Sequence, residues 1–298
     1  MRTAGRDLVY TAHDKSNKPA MTVSPGEIFA VDTELCSGSW LKSLADRYHP
    51  EKTEGPNPTV VVAVEGARPG DCLAVRILAI DVDELGYTGY VHPDPALTGQ
   101  ILPGNNESNT RTLAIKDGEI IWHERLRIPV KPMIGTLGTA PEQEILLNSK
   151  GGPHGGNMDV QEVTTGSTVY LPVAVPLALL HIGDVHAIQG DGEINMAGGV
   201  ECRARVTLQV GLPRPFGNQQ QIRLENQDDI MTIACERSTD ESFFAAAREM
   251  VRWLVGSYGF TEKDAYLLMG QLMASRCTQY VNPTRSCICK MPRWCLIP

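Results

Sequence analysis

Between Val200 and Val210 the sequence reads "VECRARVTLQV", and its residue types alternate without a break. Val200, Cys202, Ala204, Val206, Leu208 and Val210 share one parity, whereas Glu201, Arg203, Arg205, Thr207 and Gln209 share the other. Only an extended strand separates two such sets, because successive strand side chains point to opposite faces. The apolar set is therefore assigned to a core, and the polar set to solvent or to function. Similar runs recur from the N-terminus to about residue 235, among them "TVVVAVEG", "CLAVRILAIDV" and "RTLAIKDGEIIWHERLRIPV". Gly, Pro, Asn and Asp punctuate them, as expected of many short strands joined by turns. Asp117 and Gly118 predict a type I′ turn between two alternating strands. Pro69 and Gly70 in "ARPGD" predict a second hairpin between the runs on either side.

The period changes after Arg237. "STDESFFAAAREMVRWLVGSYG" begins with a capping Ser238 or Thr239, sets apolar side chains at helical spacing and stops at Gly256 or Gly259. "TEKDAYLLMGQLMASR" predicts a second helix, capped by Thr261, with Ala265, Leu268, Met269, Leu272 and Met273 as its buried stripe. "SCICKMPRW" closes the chain as a strand ending at Pro292. The expected class is mainly β, in the α+β sense. A β-rich region covers residues 1–235, and a helical pair with a closing strand over 236–298 packs on the same unit.

Composition narrows the function. The chain has 298 residues, enough to bury a large core. Its formal charge of −8 argues against a nucleic-acid binder, which needs a basic face to displace phosphate counterions. The N-terminus lacks the apolar segment of a secretory leader. The longest oily stretch, starting at Val169, contains two prolines and falls short of the ~20 residues that span a bilayer. No membrane partner and a cytoplasmic location are expected. The eight cysteines read as reduced thiols, since a chain of this size needs no covalent staples. Cys277, Cys287, Cys289 and Cys295 match no zinc-finger or ribbon spacing.

Residues able to do chemistry gather in two glycine-rich segments, "GGPHGGNMD" and "LLHIGDVHAIQGDGEI". In the second, Asp184 precedes His186 by two positions, so an extended strand points both side chains the same way. Asp191 and Gly192 form a tight turn, after which Glu193 on the returning strand meets His186 across the hairpin. Imidazole and carboxylate oxygens so arranged suit zinc or another divalent ion, with Glu193 or Glu201 left to move a proton. In the first segment, four glycines around His154 open the main chain to a ligand, while Asn157 and Asp159 add an amide and a carboxylate. The same spacings serve an ordinary hairpin with a hydrogen-bonded core histidine, or a flexible connecting loop. Spacing alone does not choose between these readings. Other chemistries have weaker support, since the chain contains no G-x-S-x-G elbow, phosphate loop or dinucleotide fingerprint.

Five segments, in order along the chain, resemble the acetamidase/formamidase family: "VEGARPGDCLAVRI", "RIPVKPMIGTLGTAPE", "GGPHGGNMD", "VYLPVAVPLALLHIGDVHAIQGDGEI" and "GVECRARVTLQV". The likeness runs from about residue 8 to residue 292, and the thiol-rich "CICKMPRWC" departs from it. The resemblance implies a β-sandwich of jelly-roll type, homo-oligomers, and hydrolysis of formamide or acetamide to a carboxylate and ammonia, with lactam opening as a variant. It also implies a divalent ion, often zinc, at the glycine-rich centre. Carried onto this chain, His154, Asp159, His186 and Asp191 are the expected metal ligands. Glu193, Glu201 and Asn157 are the expected catalytic groups, with Asn157 or the main-chain N–H groups of residues 155–157 holding the oxyanion. A β-sandwich that binds a metal or small ligand without catalysis uses the same residues and is the competing expectation.

Overall fold

The computed structural model describes residues 1–90, 97–104, 107–214 and 219–296, and its backbone is mainly extended. In chain order, the principal strands are β1 (Ile28–Asp32), β2 (Thr59–Val64), β3 (Cys72–Tyr90), β4 (Asn109–Lys116), β5 (Glu119–His123), β6 (Met133–Thr139), β7 (Gly155–Asn157), β8 (Thr168–Pro172), β9 (Leu180–Ile188) and β10 (Ala197–Gly211). They are followed by β11 (Ile222–Glu225), β12 (Asp229–Glu236), helices α1 (Thr239–Tyr258) and α2 (Glu262–Leu272), and strands β13 (Ala274–Gln279) and β14 (Arg285–Pro292).

Antiparallel ladders connect β1, β10, β3, β8, β11, β12, β14 and β13 in that order. A second antiparallel set runs β2, β9, β6, β7. The two sets join on β9, which pairs with β2 through Leu180–Gly183 and then with β10 through Val185, His186 and Ile188. The apolar parity of β10, from Val200 to Val210, lies wholly in the main core. There it meets Val60, Val62 and Val64 of β2 and Leu73, Val75 and Ile77 of β3. Each such side chain contributes roughly 1.5–3 kcal/mol by leaving water. The mainly β expectation therefore holds.

One backbone feature positions the site. Asp184 adopts a left-handed conformation, φ 59°, in the middle of β9. Leu180 and Ile182 enter the main core before it, and Val185 and Ala187 enter the same core after it. The two-residue rhythm is therefore reset at Asp184, and His181 and His186 both turn to the side away from that core.

Local signals fare unevenly. Asp117 and Gly118 both have positive φ, 53° and 77°, as a type I′ turn between β4 and β5 demands. The turn at Pro69–Gly70 also forms, with Asp71 N donating to Arg68 O at 3.0 Å. The strands beside it do not form a hairpin, because β2 ladders with β9 while β3 ladders with β4, β8 and β10. Both faces of β2 are buried, Val61 and Ala63 in a separate cluster, so it takes an interior position rather than a ribbon with one wet face.

Ser238 caps α1 by accepting from Glu241 N–H at 3.2 Å, and Gly259, φ 72°, ends it. The stripe from Ala265 to Met273 packs in a second core with α1 and β14. However, α2 stops at Leu272, short of the predicted Arg276, because Ala274–Gln279 is claimed by the ladder with β14. That ladder continues into β12, so strand pairing runs across residue 235. No described helix is long and apolar enough to cross a membrane.

Candidate active site

The crossing of β9 and β10 makes His186 and Glu201 direct cross-strand partners. His186 Nε2 lies 3.1 Å from Glu201 Oε2 and 3.6 Å from Asp184 Oδ1. Asp159 follows β7, and Glu193 comes from the loop between β9 and β10. Each brings a carboxylate oxygen within 4.8 Å of the other and of a His186 nitrogen. All five side chains are buried.

Gln189 decides which nitrogen is available. Its Nε2 donates to Asp159 O at 3.0 Å and Thr278 O at 3.2 Å, so its Oε1 must be the atom 2.8 Å from His186 Nδ1. Nδ1 therefore carries the ring hydrogen as donor, and Nε2 is left to bind a proton or a cation.

Charge in this buried cluster is unbalanced. Burial first, then the negative charge of Asp184, raises Asp159 to about 7. Burial lifts Glu201 to about 8 against the pull of His186, and burial with the Asp159 charge holds Glu193 well above the usual carboxylate range. Burial by itself would strip His186 of its proton, but Glu201 and Asp184 outweigh it and hold the ring above its ordinary pKa. Four carboxyl groups around one imidazole cannot all ionise without added positive charge. Asp159 Oδ1 and Glu193 Oε2 are also buried without a hydrogen-bond partner. One imidazole nitrogen with unsatisfied carboxylate oxygens is a donor set that fits a divalent cation.

Other segments aim these carboxylates. Asn282 Nδ2 donates to Asp159 Oδ2 at 2.6 Å, and Asn57 Nδ2 to Asp184 Oδ2 at 2.9 Å. Thr136 Oγ1 lies 3.0 Å from both Asp184 Oδ2 and Asn157 Oδ1. Asp159, Asp184 and Glu193 all have left-handed φ, 50°, 59° and 38°. Strain of that kind costs about 1–3 kcal/mol per residue and persists where surrounding structure enforces it. Gly135 leaves the necessary room, since a Cβ there would stand 2.6 Å from both Asp159 Oδ1 and Asp184 Oδ2.

Two expected ligands lie elsewhere. His154 precedes β7 and packs edge-on to His13, ring centroids 4.9 Å apart, while His13 stacks on His181 at 4.2 Å. Burial lowers His154 and His181 to about 4 and takes His13 well below its usual value. Asp191 sits at an outward turn, its side chain 60% exposed, and pairs with Arg276 at 2.7 Å.

The glycine segment is also different from an open oxyanion cradle. Asn157 N donates to Lys150 O, and Gly155 and Gly156 are ladder residues between Gly151–Gly152 and β6. A Cβ on Gly155 would lie 2.2 Å from Leu137 O, so this glycine serves close strand approach. Glu193 reaches His186 by folding back within the loop, because the returning strand starts only at Ala197. Asp184, Gln189, Asn57, Thr136 and Asn282 complete the centre, as does Cys36, whose thiol lies within ligand reach of Asp184 and Glu201.

A mainly β protein whose two sets of strands meet over a buried carboxylate–imidazole centre is the class that fold and site define. A sequence profile of the Acetamidase/Formamidase family matches residues 13–151 and 148–294, and the chain belongs to that family. The crystal structure of a recombinant predicted acetamidase/formamidase from Thermoanaerobacter tengcongensis is similar at TM-score 0.90 and 31% identity, covering 99% of this chain and 96% of that one. A formamidase from Methylophilus methylotrophus is 33% identical over 143 residues, 44% of this chain and 34% of the relative. An acetamidase from Mycolicibacterium smegmatis is 33% identical over 138 residues, 42% of this chain and 33% of the relative. The chain thus spans about a third of the length of these two curated relatives.

Proposed function

We propose that this protein hydrolyses short aliphatic amides, formamide or acetamide, to a carboxylate and ammonia at the His186 centre. The observation that carries the reading is the cluster itself: one imidazole nitrogen, left available by Gln189, faces Glu201 and Asp184 with Asp159 and Glu193 alongside. Family membership, with relatives named formamidase and acetamidase, supports the substrate class.

An amide is a poor electrophile, so its hydrolysis needs an activated water and a partner for the developing oxyanion. His186 Nε2, Asp159 and Glu193 are the residues that would hold a divalent cation, zinc in this reading. Such an ion supplies a Lewis acid and lowers the pKa of water to about 7. Glu201, raised by burial to about 8, takes the proton of the attacking water and returns it to the departing amine. Asp184 and Gln189 hold His186 in place, and Asn157 donates its side-chain amide to the substrate oxygen. Burial of the five groups keeps bulk water out, which strengthens each of these interactions. A cytoplasmic homo-oligomer acting on a small amide completes the reading. The charge of −8 supports the absence of a nucleic-acid partner.

The test is ammonia release from formamide, acetamide and a γ-lactam, with metal analysis of the same sample. Release from the linear amides that falls on chelation and returns with zinc supports the proposal. Turnover indifferent to chelation favours direct acid–base work by the carboxyl groups. Bound metal with no release from any amide leaves only a binding protein and overturns the proposal.

A further inference from the structure

The hairpin β13–β14 carries chemistry that amide hydrolysis does not use. Cys277 and Cys287 are Cα partners across its antiparallel ladder. Direct partners hold their Cβ atoms roughly 4.5–5.5 Å apart, near the separation that a disulfide spans. A bulge follows Cys277 at once, before Gln279 meets Ser286, so the strand can give at that point. The two thiols differ in access: Cys287 is buried, whereas Cys277 is only half-buried.

They differ in acidity as well. Hydrogen bonds from the Cys287 thiol, then Tyr280, bring Cys277 down to about 6 against the opposing effect of burial, and the bond to Cys277 together with burial pushes Cys287 up. The other six cysteines are all raised by burial, Cys72, Cys235 and Cys289 to about 12. One accessible nucleophilic sulfur therefore sits opposite one buried sulfur placed to follow it.

We propose that Cys277 and Cys287 form a thiol–disulfide exchange site for low-molecular-weight disulfides of the glutathione class. The Cys277 thiolate attacks one sulfur of the reagent, whose S–S bond breaks and releases one thiol, leaving a mixed disulfide on Cys277. Cys287 then loses its proton to solvent and attacks the Cys277 sulfur, expelling the second thiol. The reagent is reduced by two electrons, and the two cysteines are oxidised to one internal bond.

The position gives this bond a route to the centre. Thr278, next to Cys277, accepts from Gln189 Nε2 at 3.2 Å, and Gln189 holds His186. Asn282, in the turn joining the same two strands, holds Asp159.

The experiment uses the whole protein, equilibrated with rising ratios of oxidised to reduced glutathione, quenched in acid, alkylated and mapped by mass spectrometry. The expected result is a single Cys277–Cys287 bond, reversible with dithiothreitol, with the other six thiols alkylated. Cys287→Ser should stop at the glutathione adduct on Cys277. Cys277→Ser and Cys277→Ala, checked for folding by circular dichroism, should form neither adduct nor bond. Oxidation of the Cys277 variants as fast as the parent, a bond mapped to other cysteines, or a folded parent that stays fully reduced in excess oxidised glutathione would each overturn the proposal. These readouts do not use amide turnover, so they stand apart from the proposed hydrolysis.

Discussion

His186 and Glu201 face each other across the β9–β10 ladder, Nε2 3.1 Å from Oε2, and neither is open to solvent. If Glu201 moves the proton in amide hydrolysis, replacing its carboxylate by an amide of equal size removes the base and little else. Glu201→Gln is expected to lower kcat about 100-fold or more, the usual worth of a positioned acid–base group, with the melting temperature retained. Ammonia release and a thermal scan on the same preparation check it. Turnover within a few-fold of the parent would remove Glu201 from the mechanism.

Gln189 fixes the ring of His186 by accepting from Nδ1 while its own nitrogen is held by two main-chain carbonyls. Gln189→Ala frees the ring to turn and to change tautomer. Loss of such an outer support costs about 10–100-fold in activity or metal affinity. Metal content after dialysis and kcat/KM should both fall, and unchanged values would show that the ring is fixed by its cavity alone.

Gly135 borders two carboxylates that an added methyl group would touch at 2.6 Å. Gly135→Ala is expected to destabilise by about 1–3 kcal/mol, as overpacking does, and to lose most amide turnover. Urea denaturation alongside the ammonia assay tests both halves.

The His13, His154 and His181 group makes stability depend on pH. In the unfolded chain each ring binds a proton near pH 6.5. In the folded protein His154 and His181 stay neutral down to about 4, because burial opposes their charge. The unfolded state therefore binds more protons in that window. The stabilisation is fully present above about 6.5 and is lost as pH falls toward 4. His154→Gln should flatten the slope of unfolding free energy between pH 6 and 4.5 by up to about 1.4 kcal/mol per pH unit. A variant with the parent slope would contradict a neutral buried His154.

Arg223 and Glu249 form an ion pair buried on both sides, with Arg223 Nε and Glu249 Oε1 2.7 Å apart, and it ties α1 to β11. Glu249→Gln removes the carboxylate charge from a contact in which both side chains are fully buried. Breaking such a pair costs about 3–5 kcal/mol. A denaturation midpoint equal to the parent would refute that.

The strand parity of β10 was legible because one face is oil and the other is not, and a period of two has no helical equivalent. The α1 caps, Ser238 and Gly259, were legible because capping is local. Asp159, His186, Glu193 and Glu201 could be singled out because each is a carboxylate or imidazole in or beside a glycine-rich segment. His154 stands among the same residues, yet it lies beside His13 and His181, since pairing of Gly155 with Gly138 fixes where the preceding turn ends. Nothing local marks His13, Asn57 or Asn282, each of which is brought in by long-range pairing. Asp191 was expected as a ligand through the family resemblance, whereas spacing gave it a turn, and at that turn its side chain pairs with Arg276.

The twist of backbone at Asp184 has a consequence for how this protein can change. A β-branched residue there would resist the left-handed torsion and let β9 run as an ordinary strand. Val185 and Ala187 would then swing toward the polar side and His186 toward the oil, so a replacement chosen to delete one carboxylate would turn half a strand inside out. The loops around this centre supply Asp159, Glu193 and Asn282 for the chemistry alone, whereas position 184 is answerable to the architecture as well.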